Sequence, residues 1–308
     1  MLSAHSSYNL LLKLLLEKQM QDKALNNAAG CLYVVATPIG NLDDITARAL
    51  RVLAEVQLIA AEDTRHSSRL LQHFSISTPL VACHDHNERA QSSSLLQRIE
   101  QGANVALISD AGTPLISDPG YHLVAQAHAA GIKVVPVPGV SAAITALSAA
   151  GLPCDRFAFE GFLPAKEGAR QKYLQRLTQE SRTMIFYEAP HRVLDSVRAM
   201  AEVFGGERQA VLARELTKTF ETIKRASLAD LAQWIGADTN QQRGECVLLV
   251  KGVDTKAATD EISVDTQSIL KLLCNELPLK KAAAMTAQIT GVRKNLLYQW
   301  GLDNLAST

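Results

Sequence analysis

The chain has 308 residues, room for two domains and a small appendage at about 100–200 residues per domain. Apolar residues make up 47% and charged residues 20%, which excludes a disordered or collagen-like chain. Lys plus Arg and Asp plus Glu each number 31, so no global field draws the chain to nucleic acid or membrane, and any polyanion contact must come from local patches.

Residues 1–29 read as a loosely attached N-terminal extension. Its greasiest run, Leu10 to Leu16, is interrupted by Lys13 and ended by Glu17, far short of the roughly 20 residues of a membrane span. No basic residue precedes that run and no small-residue cleavage site follows it, so a signal peptide is not expected. The fold proper begins at Cys31, with a short apolar run over 31–36 followed by TPIGNLDD and a helical pattern from Ile45 to Val56. The same unit recurs at 57–63, 80–88, 104–110 and 133–139, each apolar run leading into a helix; these helices end near His73, Glu100, Ala130 and Ala150. Short buried runs alternating with helices predict a parallel sheet covered on both faces, an α/β lobe over 30–151.

After GLPCDR (151–156) the pattern changes. Strands are predicted at 157–164, 183–189, 209–216, 219–227 and 244–252, with helices over 166–180, 190–204 and 228–236. The two-residue gap between 209–216 and 219–227 predicts a hairpin, and the second lobe, 152–252, is mixed α+β. A polar linker, 253–266, leads to a small helical domain over 265–308, where 277–301 reads as helix, turn at Gly291, helix. Five widely spaced cysteines (Cys31, Cys83, Cys154, Cys246 and Cys274) contain no C-x-x-C, which fits a reducing cytoplasm rather than a disulfide framework or a thiolate zinc site.

Three segments at strand ends point to a ligand. In TPIGNLDDIT (37–46) the chain turns through Pro38 and Gly40, and Asp43, Asp44 or Thr46 caps the next helix. Such a turn presents backbone N–H groups beside a helix N-terminus. ISDAGTPLISDPG (108–120) is longer than a simple connection needs and rich in groups that fix special backbone angles. VPGVSAA (137–143) ends the next strand. Three such loops on one edge of a parallel sheet predict a small-ligand site there. His84 and His86 would share a face of an extended chain, but no third ligand follows at a recognisable spacing, so no metal site is assigned.

The second lobe places charge at strand ends: Lys166; Glu188, His191 and Arg192; Arg214, Glu215 and Lys218. These read either as surface ion-pair networks or as a polar cleft facing the first lobe, in which Arg and Lys suit phosphate and Glu can accept a proton. In the tail, Lys280, Lys281, Arg293 and Lys294 lie around the helix pair with Tyr298 and Trp300, consistent with a nucleic-acid contact or with a solvated helical pair.

Taken together and in order, TPIGNLDDIT, AAEDTRHSSRLL, CHDHNE, SDAGTPLISDPG, VPGVSAAITALSAAGLP, FEGFLP, FYEAPHR and ARELTKTFE resemble the tetrapyrrole methylase-like family of S-adenosylmethionine-dependent methyltransferases, in the branch that acts on ribosomal RNA. The resemblance runs from about Leu32 to the C-terminus. It implies a two-lobed subunit in a homodimer, with S-adenosyl-L-methionine held between the lobes. The implied reaction is 2′-O-methylation of a decoding-centre cytidine in the 16S rRNA of the small ribosomal subunit, in the cytoplasm, with neither metal nor membrane. By resemblance, donor contacts fall on Pro38, Gly40, Asp110, Thr113, Ile116, Ser141 and Ala142, and on backbone near Tyr187 and Leu216. Family members acting on tetrapyrroles carry Gly-Asp-Pro where this chain has Gly112-Thr113-Pro114, so an Asp ligand does not carry over to position 113.

Methyl transfer from a sulfonium is an in-line displacement that chiefly requires nucleophile, methyl and sulfur to be held in line. A ribose hydroxyl also has to lose its proton, and Glu188, Glu215 and Lys166 are the candidates for base or orienter. One positive face is expected from Lys166, Arg170, Lys172, Arg192, Lys218 and the tail cations Lys280, Lys281, Arg293 and Lys294. Two other readings stand beside this one: a methyltransferase of the same fold acting on a tetrapyrrole or a protein side chain, and a non-catalytic RNA-binding protein of ribosome assembly. A nucleotide-dependent oxidoreductase lacks its glycine fingerprint here.

Overall fold

The computed structural model describes residues 30–253 and 262–305. The extension expected over 1–29, with its Leu10–Leu16 run, lies outside the described residues, as does most of the expected linker. The chain divides into two compact units, one ending at Ala149 but also taking in Ala213–Thr222, the other formed by Ala150–Leu212 and the chain from Ile223 onward.

In the first unit, β1 (Cys31–Val35), β2 (Leu58–Ala61), β3 (Leu80–Ala82), β4 (Val105–Ile108) and β5 (Lys133–Val137) form one all-parallel sheet, in the order β3-β2-β4-β1-β5. The connecting helices are α1 (Ala47–Glu55), α2 (Thr64–His73), α3 (Glu88–Glu100) and α4 (Tyr121–Ala129), and α5 (Ala142–Ala150) follows β5. Successive strand residues point to opposite faces. Val35, Ile59, Ala61, Ala106 and Ile108 pack on Ala49, Leu53 and Leu71 of α1 and α2. Leu32, Ala60, Val105 and Leu107 pack on Leu95, Ile99, Leu123 and Ala127 of α3 and α4. Burial on both faces is why these strands are nearly continuous in Val, Ile, Leu and Ala. Of the three candidate caps for α1, Thr46 is the one that serves, its hydroxyl accepting the Ala49 N–H at 3.1 Å; Asp43 and Asp44 sit in a short 3-10 turn, Leu42–Asp44.

In the second unit a mixed sheet has the order β6-β7-β10-β8-β9, from β6 (Phe157–Phe162), β7 (Thr183–Glu188), β8 (Gln209–Arg214), β9 (Thr222–Ser227) and β10 (Cys246–Val250). β6 and β7 run parallel, and β10 is antiparallel to β7. The helices α6 (Glu167–Arg176), α7 (Val193–Phe204) and α8 (Leu228–Ala237) cover one face, where Leu174, Val197, Met200, Leu231 and Ile235 meet Met184, Phe186, Leu248 and Val250. β8 and β9 are neighbours as expected, but no two-residue hairpin joins them, because β8 stops at Arg214 and residues 215–221 form a turn. Glu215 and Thr217 take left-handed backbone angles there, which a continuing strand does not allow. In the tail, α9 (Val264–Glu276), α10 (Leu279–Thr290) and α11 (Lys294–Leu305) share a small core of Leu270, Ala282, Ala283 and Leu297, and the turn falls at Gly291. Among the described residues no helix is long and apolar enough to cross a membrane.

Candidate active site

β1 and β4 lie side by side, yet their outgoing connections run in opposite directions. The chain leaving β1 passes to β2, beyond β4; the chain leaving β4 passes to β5, beyond β1. The crevice outside the carboxyl ends of two such strands is where open α/β sheets hold ligands. The turns that leave β1, β4 and β5 are laced together at that edge. Thr37 N–H donates to the Gly112 carbonyl at 2.8 Å and Gly112 N–H returns a bond to the Thr37 carbonyl at 3.0 Å. The Thr37 hydroxyl also donates to the Ser109 carbonyl at 3.2 Å, and the Thr113 hydroxyl donates to the Val140 carbonyl at 2.9 Å.

The turn after β4 holds unusual backbone. Gly112 takes φ 82°, which a side chain disfavours, but Leu115 and Ser117 are also left-handed, at 73° and 69°, without glycine's freedom. Each such residue costs on the order of 1–2 kcal/mol and persists only where its surroundings hold it. The turn after β1 is shaped by the 215–218 turn. Asn41 N–H donates to the Thr217 hydroxyl at 3.1 Å, and a Cβ on Gly40 would lie 2.5 Å from Lys218 Cγ, so a side chain there would push Lys218 aside. Lys218 Nζ in turn donates to Glu215 Oε1 at 2.9 Å.

Of the expected donor contacts, Pro38, Gly40, Asp110, Thr113, Ile116, Ser141, Ala142 and Leu216 fall in the first unit; Tyr187 lies on β7 of the second. Ile116 is exposed, Leu216 is buried, and Ser141 and Ala142 begin α5.

At the same edge Asp110, an expected donor contact, is joined by three carboxylates not singled out from the sequence. Glu62 follows β2, Asp85 follows β3, and Asp110 and Asp118 lie in the turn after β4. Asp110 Oδ1 accepts the Asp63 N–H at 3.0 Å. Burial and the neighbouring charges of Asp118 and Asp110 push the Glu62 carboxyl above its ordinary value. Asp118 is pushed up to about 6, first by burial, then by Asp110 and Asp85, against a lowering hydrogen bond from Ser109. The available signal was period and position: each acid stands one to ten residues beyond a strand of one parallel sheet. His84 and His86 are not on an extended chain. They occupy a tight turn into α3, where Asn87 Oδ1 accepts the His84 N–H at 2.8 Å and the His84 carbonyl accepts from Asn87 and Glu88, leaving the rings 6.0 Å apart. Among the described residues no three His, Cys, Asp or Glu are grouped so as to hold a metal ion.

In the second unit the strand-end charges are largely consumed internally. Glu188 is 2% exposed, and both of its oxygens are occupied. Oε1 accepts from Arg192 Nε at 2.8 Å, from Arg192 Nη2, and from the Ala189 N–H at 2.8 Å, while Oε2 accepts from the Ser196 hydroxyl at 2.5 Å. A carboxylate so buried and engaged anchors the turn from β7 into α7, and the expected base at Glu188 is held by four donors away from solvent. Arg192, expected on the RNA face, turns its guanidinium to Glu188 and to the Leu163 carbonyl (3.0 Å). Arg170 is buried, not on a solvent face. Lys218 is half-buried against Glu215, whereas Lys166, Lys172, Lys280, Lys281, Arg293 and Lys294 are exposed.

The model of the Tetrapyrrole (Corrin/Porphyrin) Methylases matches residues 31–232, about two thirds of the chain. The chain belongs to the tetrapyrrole methylase family. A second model, the RsmI C-terminal HTH domain, matches residues 260–305. Among curated relatives, the "Ribosomal RNA small subunit methyltransferase I" of Pseudomonas aeruginosa is 65% identical over 276 residues, covering 90% of this chain and 98% of that protein. The proteins of the same name from Vibrio cholerae and Escherichia coli O157:H7 are 57% and 56% identical, each covering 92% of this chain and 98% of the relative. Solved structures share the methylase fold. Diphthine synthase superposes with a TM-score of 0.56 at 15% identity, over 72% of this chain and 90% of that one. The methyltransferase CobJ gives 0.55 at 21%, over 73% and 95%. The family fold accordingly comprises the parallel first sheet, the mixed second sheet and, in this chain, the helical tail.

Proposed function

We propose that this chain is an S-adenosylmethionine-dependent methyltransferase of small-subunit ribosomal RNA, transferring the methyl group to the ribose 2′-oxygen of a decoding-centre cytidine in 16S rRNA. The observation that carries the reading is the 65% identity to a relative of that name over 98% of the relative's length, tail included. The enzyme works in the cytoplasm as a homodimer, with an N-terminal extension over 1–29, lobes over 30–151 and 152–252, and an RNA-contacting helical domain over 265–308.

The residues at the sheet edge suit a cationic donor. Burial, and after it the like charges of their neighbours, pushes the Glu62 and Asp118 carboxyls above their ordinary range, and a bound cation relieves the repulsive part of that cost. When bound, S-adenosyl-L-methionine supplies an electrophilic methyl on a sulfonium. The chain's part is to orient it. The turns carrying Pro38 and Gly40, Asp110, Thr113 and Ile116, and Ser141 and Ala142 offer backbone donors and acceptors fixed by the Thr37–Gly112 bridge, with backbone near Leu216 completing the set within the first unit. With Glu188 engaged, Glu215 and Lys166 remain the candidates to accept or orient the ribose hydroxyl proton. Lys172, Lys280, Lys281, Arg293 and Lys294 are the exposed cations of the RNA face.

The test is direct. S-adenosyl-L-methionine is expected to raise the melting temperature of the purified protein, as mass action requires of a ligand of the native state. Tritium from labelled donor is expected to enter small ribosomal subunits prepared from cells lacking the protein, at one cytidine ribose. Absence of label in the RNA, or label on a base or a protein, sinks the reading.

A further inference from the structure

Arg170 stands apart from the other arginines at this end of the second sheet. It is the fourth residue of α6, on the inward stripe with Leu174, and only 7% exposed; its Nε has no hydrogen-bond partner among the described residues. A buried guanidinium without an acceptor is costly, and native chains keep one only where a partner arrives from outside or a network supplies it. Glu167 and Asp195, in the first turns of α6 and α7, are exposed, and the buried or half-buried carboxylates nearby are already engaged. Glu188 is filled by Arg192, Ala189 and Ser196, and Glu160 on β6 accepts the Tyr173 hydroxyl at 2.7 Å.

The setting favours an anion. β6 and β7 run parallel, so the starts of α6 and α7 lie at the same sheet edge, and the bond from Arg192 to the Leu163 carbonyl ties the two together. No side chain caps α6; Lys166, exposed, occupies the cap position and brings a second cation. His191 is exposed in the turn before α7. An anion at such a helix start gains from free N–H groups and the helix dipole, and a guanidinium can donate two bonds to phosphate oxygens at once.

We propose that Arg170, with Lys166 beside it at the start of α6, forms a phosphodiester-binding subsite that fixes the RNA chain. This rests on the ribosomal-RNA reading and deepens it. Arg170 is a positioning residue, not a catalytic one: it holds the backbone of the RNA and contacts no reacting atom.

The experiment measures methyl transfer from tritiated donor to small ribosomal subunits, in a salt series, for the wild type, Arg170→Gln, Arg170→Lys and Lys166→Gln. Arg170→Gln is expected to raise KM for subunits roughly tenfold to a hundredfold with kcat at saturation little changed. The slope of log affinity against log salt is expected to become shallower by about 0.7–0.9, one phosphate contact. Arg170→Lys is expected to restore the slope but only part of the KM, since lysine lacks the planar fork. Wild-type KM and slope in Arg170→Gln, with transfer intact, overturn the subsite and leave the function standing; no transfer by the wild type overturns both. If Arg170→Gln does not fold, an unchanged KM in Arg170→Lys together with an unchanged slope in Lys166→Gln overturns it. A slower-sedimenting species in Arg170→Gln overturns it too, by assigning the guanidinium to a carboxylate of a second copy.

Discussion

Two edges of the molecule are built alike and charged oppositely. In each, parallel strands end and helices begin. At the first sheet the edge collects Glu62, Asp85, Asp110 and Asp118, and burial, together with the charges around them, leaves Glu62 and Asp118 poised to keep a proton. At β6 and β7 the edge collects Lys166, Arg170, His191 and Arg192; of its carboxylates Glu188 is buried and engaged, while Glu167 and Asp195 are exposed in the first turns of α6 and α7. The backbone geometry therefore says only where ligands go. Side-chain charge is what assigns the proposed occupants, a cation-bearing small molecule at the first edge and a polyanion at the second.

The comparison breaks most visibly at Glu188. Replacing it by alanine strands the Arg192 guanidinium and the Ser196 hydroxyl in the interior, and removing one partner of a buried pair costs about 3–5 kcal/mol. For units of this size that is a fall in melting temperature of roughly 6–20 °C, read by calorimetry. Transfer activity, measured at low temperature on the folded fraction, is expected to stay within about tenfold of wild type. A loss of about 10²–10⁴ without a fall in melting temperature is instead the signature of a general base and restores that role to Glu188.

A second, smaller effect sharpens the same contrast at the tail. Lys280, Lys281 and Lys294 are exposed on helices with their own core, so reversing all three to glutamate changes stability little, within about 0.5 kcal/mol per site. Subunit binding is expected to weaken roughly tenfold or more and its salt slope to become shallower by about 2–3. The rise in melting temperature on adding donor is expected not to change. Equal losses of RNA and donor binding give the tail a structural role.

The sheet was legible because both faces are buried: Val105–Ile108 and Leu58–Ala61 are continuous apolar runs, and no alternation competes with the helical period between them. The three turns at the first sheet edge were legible for a different reason, since Pro, Gly, Asp and Ser crowd where a simple connection needs few residues. What escaped was long-range pairing. Nothing local in FYEAPHR says that Glu188 closes on Arg192 and on Ser196, eight residues away, or that Arg170 turns inward while Lys172 turns out. The 215–218 turn escaped because its left-handed residues are Glu and Thr, not the Gly or Asn that usually mark such backbone. The acidic group escaped because its members come from three separate strands, and only the strand order brings those ends together.

The smallest effect is the most specific to the acidic edge. Asp118 has its carboxyl pushed up to about 6 from an ordinary value of 3.8, chiefly by burial. Its native form thus holds a proton more tightly than the unfolded chain does. Linkage then has a definite sign: the stability this proton contributes is complete below pH 3.8 and is lost as pH rises through about 6. Asp118→Asn keeps an oxygen for the Ser109 hydroxyl and carries no charge at any pH. The variant is expected to match wild type near pH 4 and to be more stable at pH 8, by about 1 kcal/mol once partial exposure to water is allowed for. Melting curves across pH 4–8 without donor decide it. If the two proteins differ by a constant amount at every pH, the carboxylates at this edge do not repel one another, and the case for a cation among them loses its electrostatic footing.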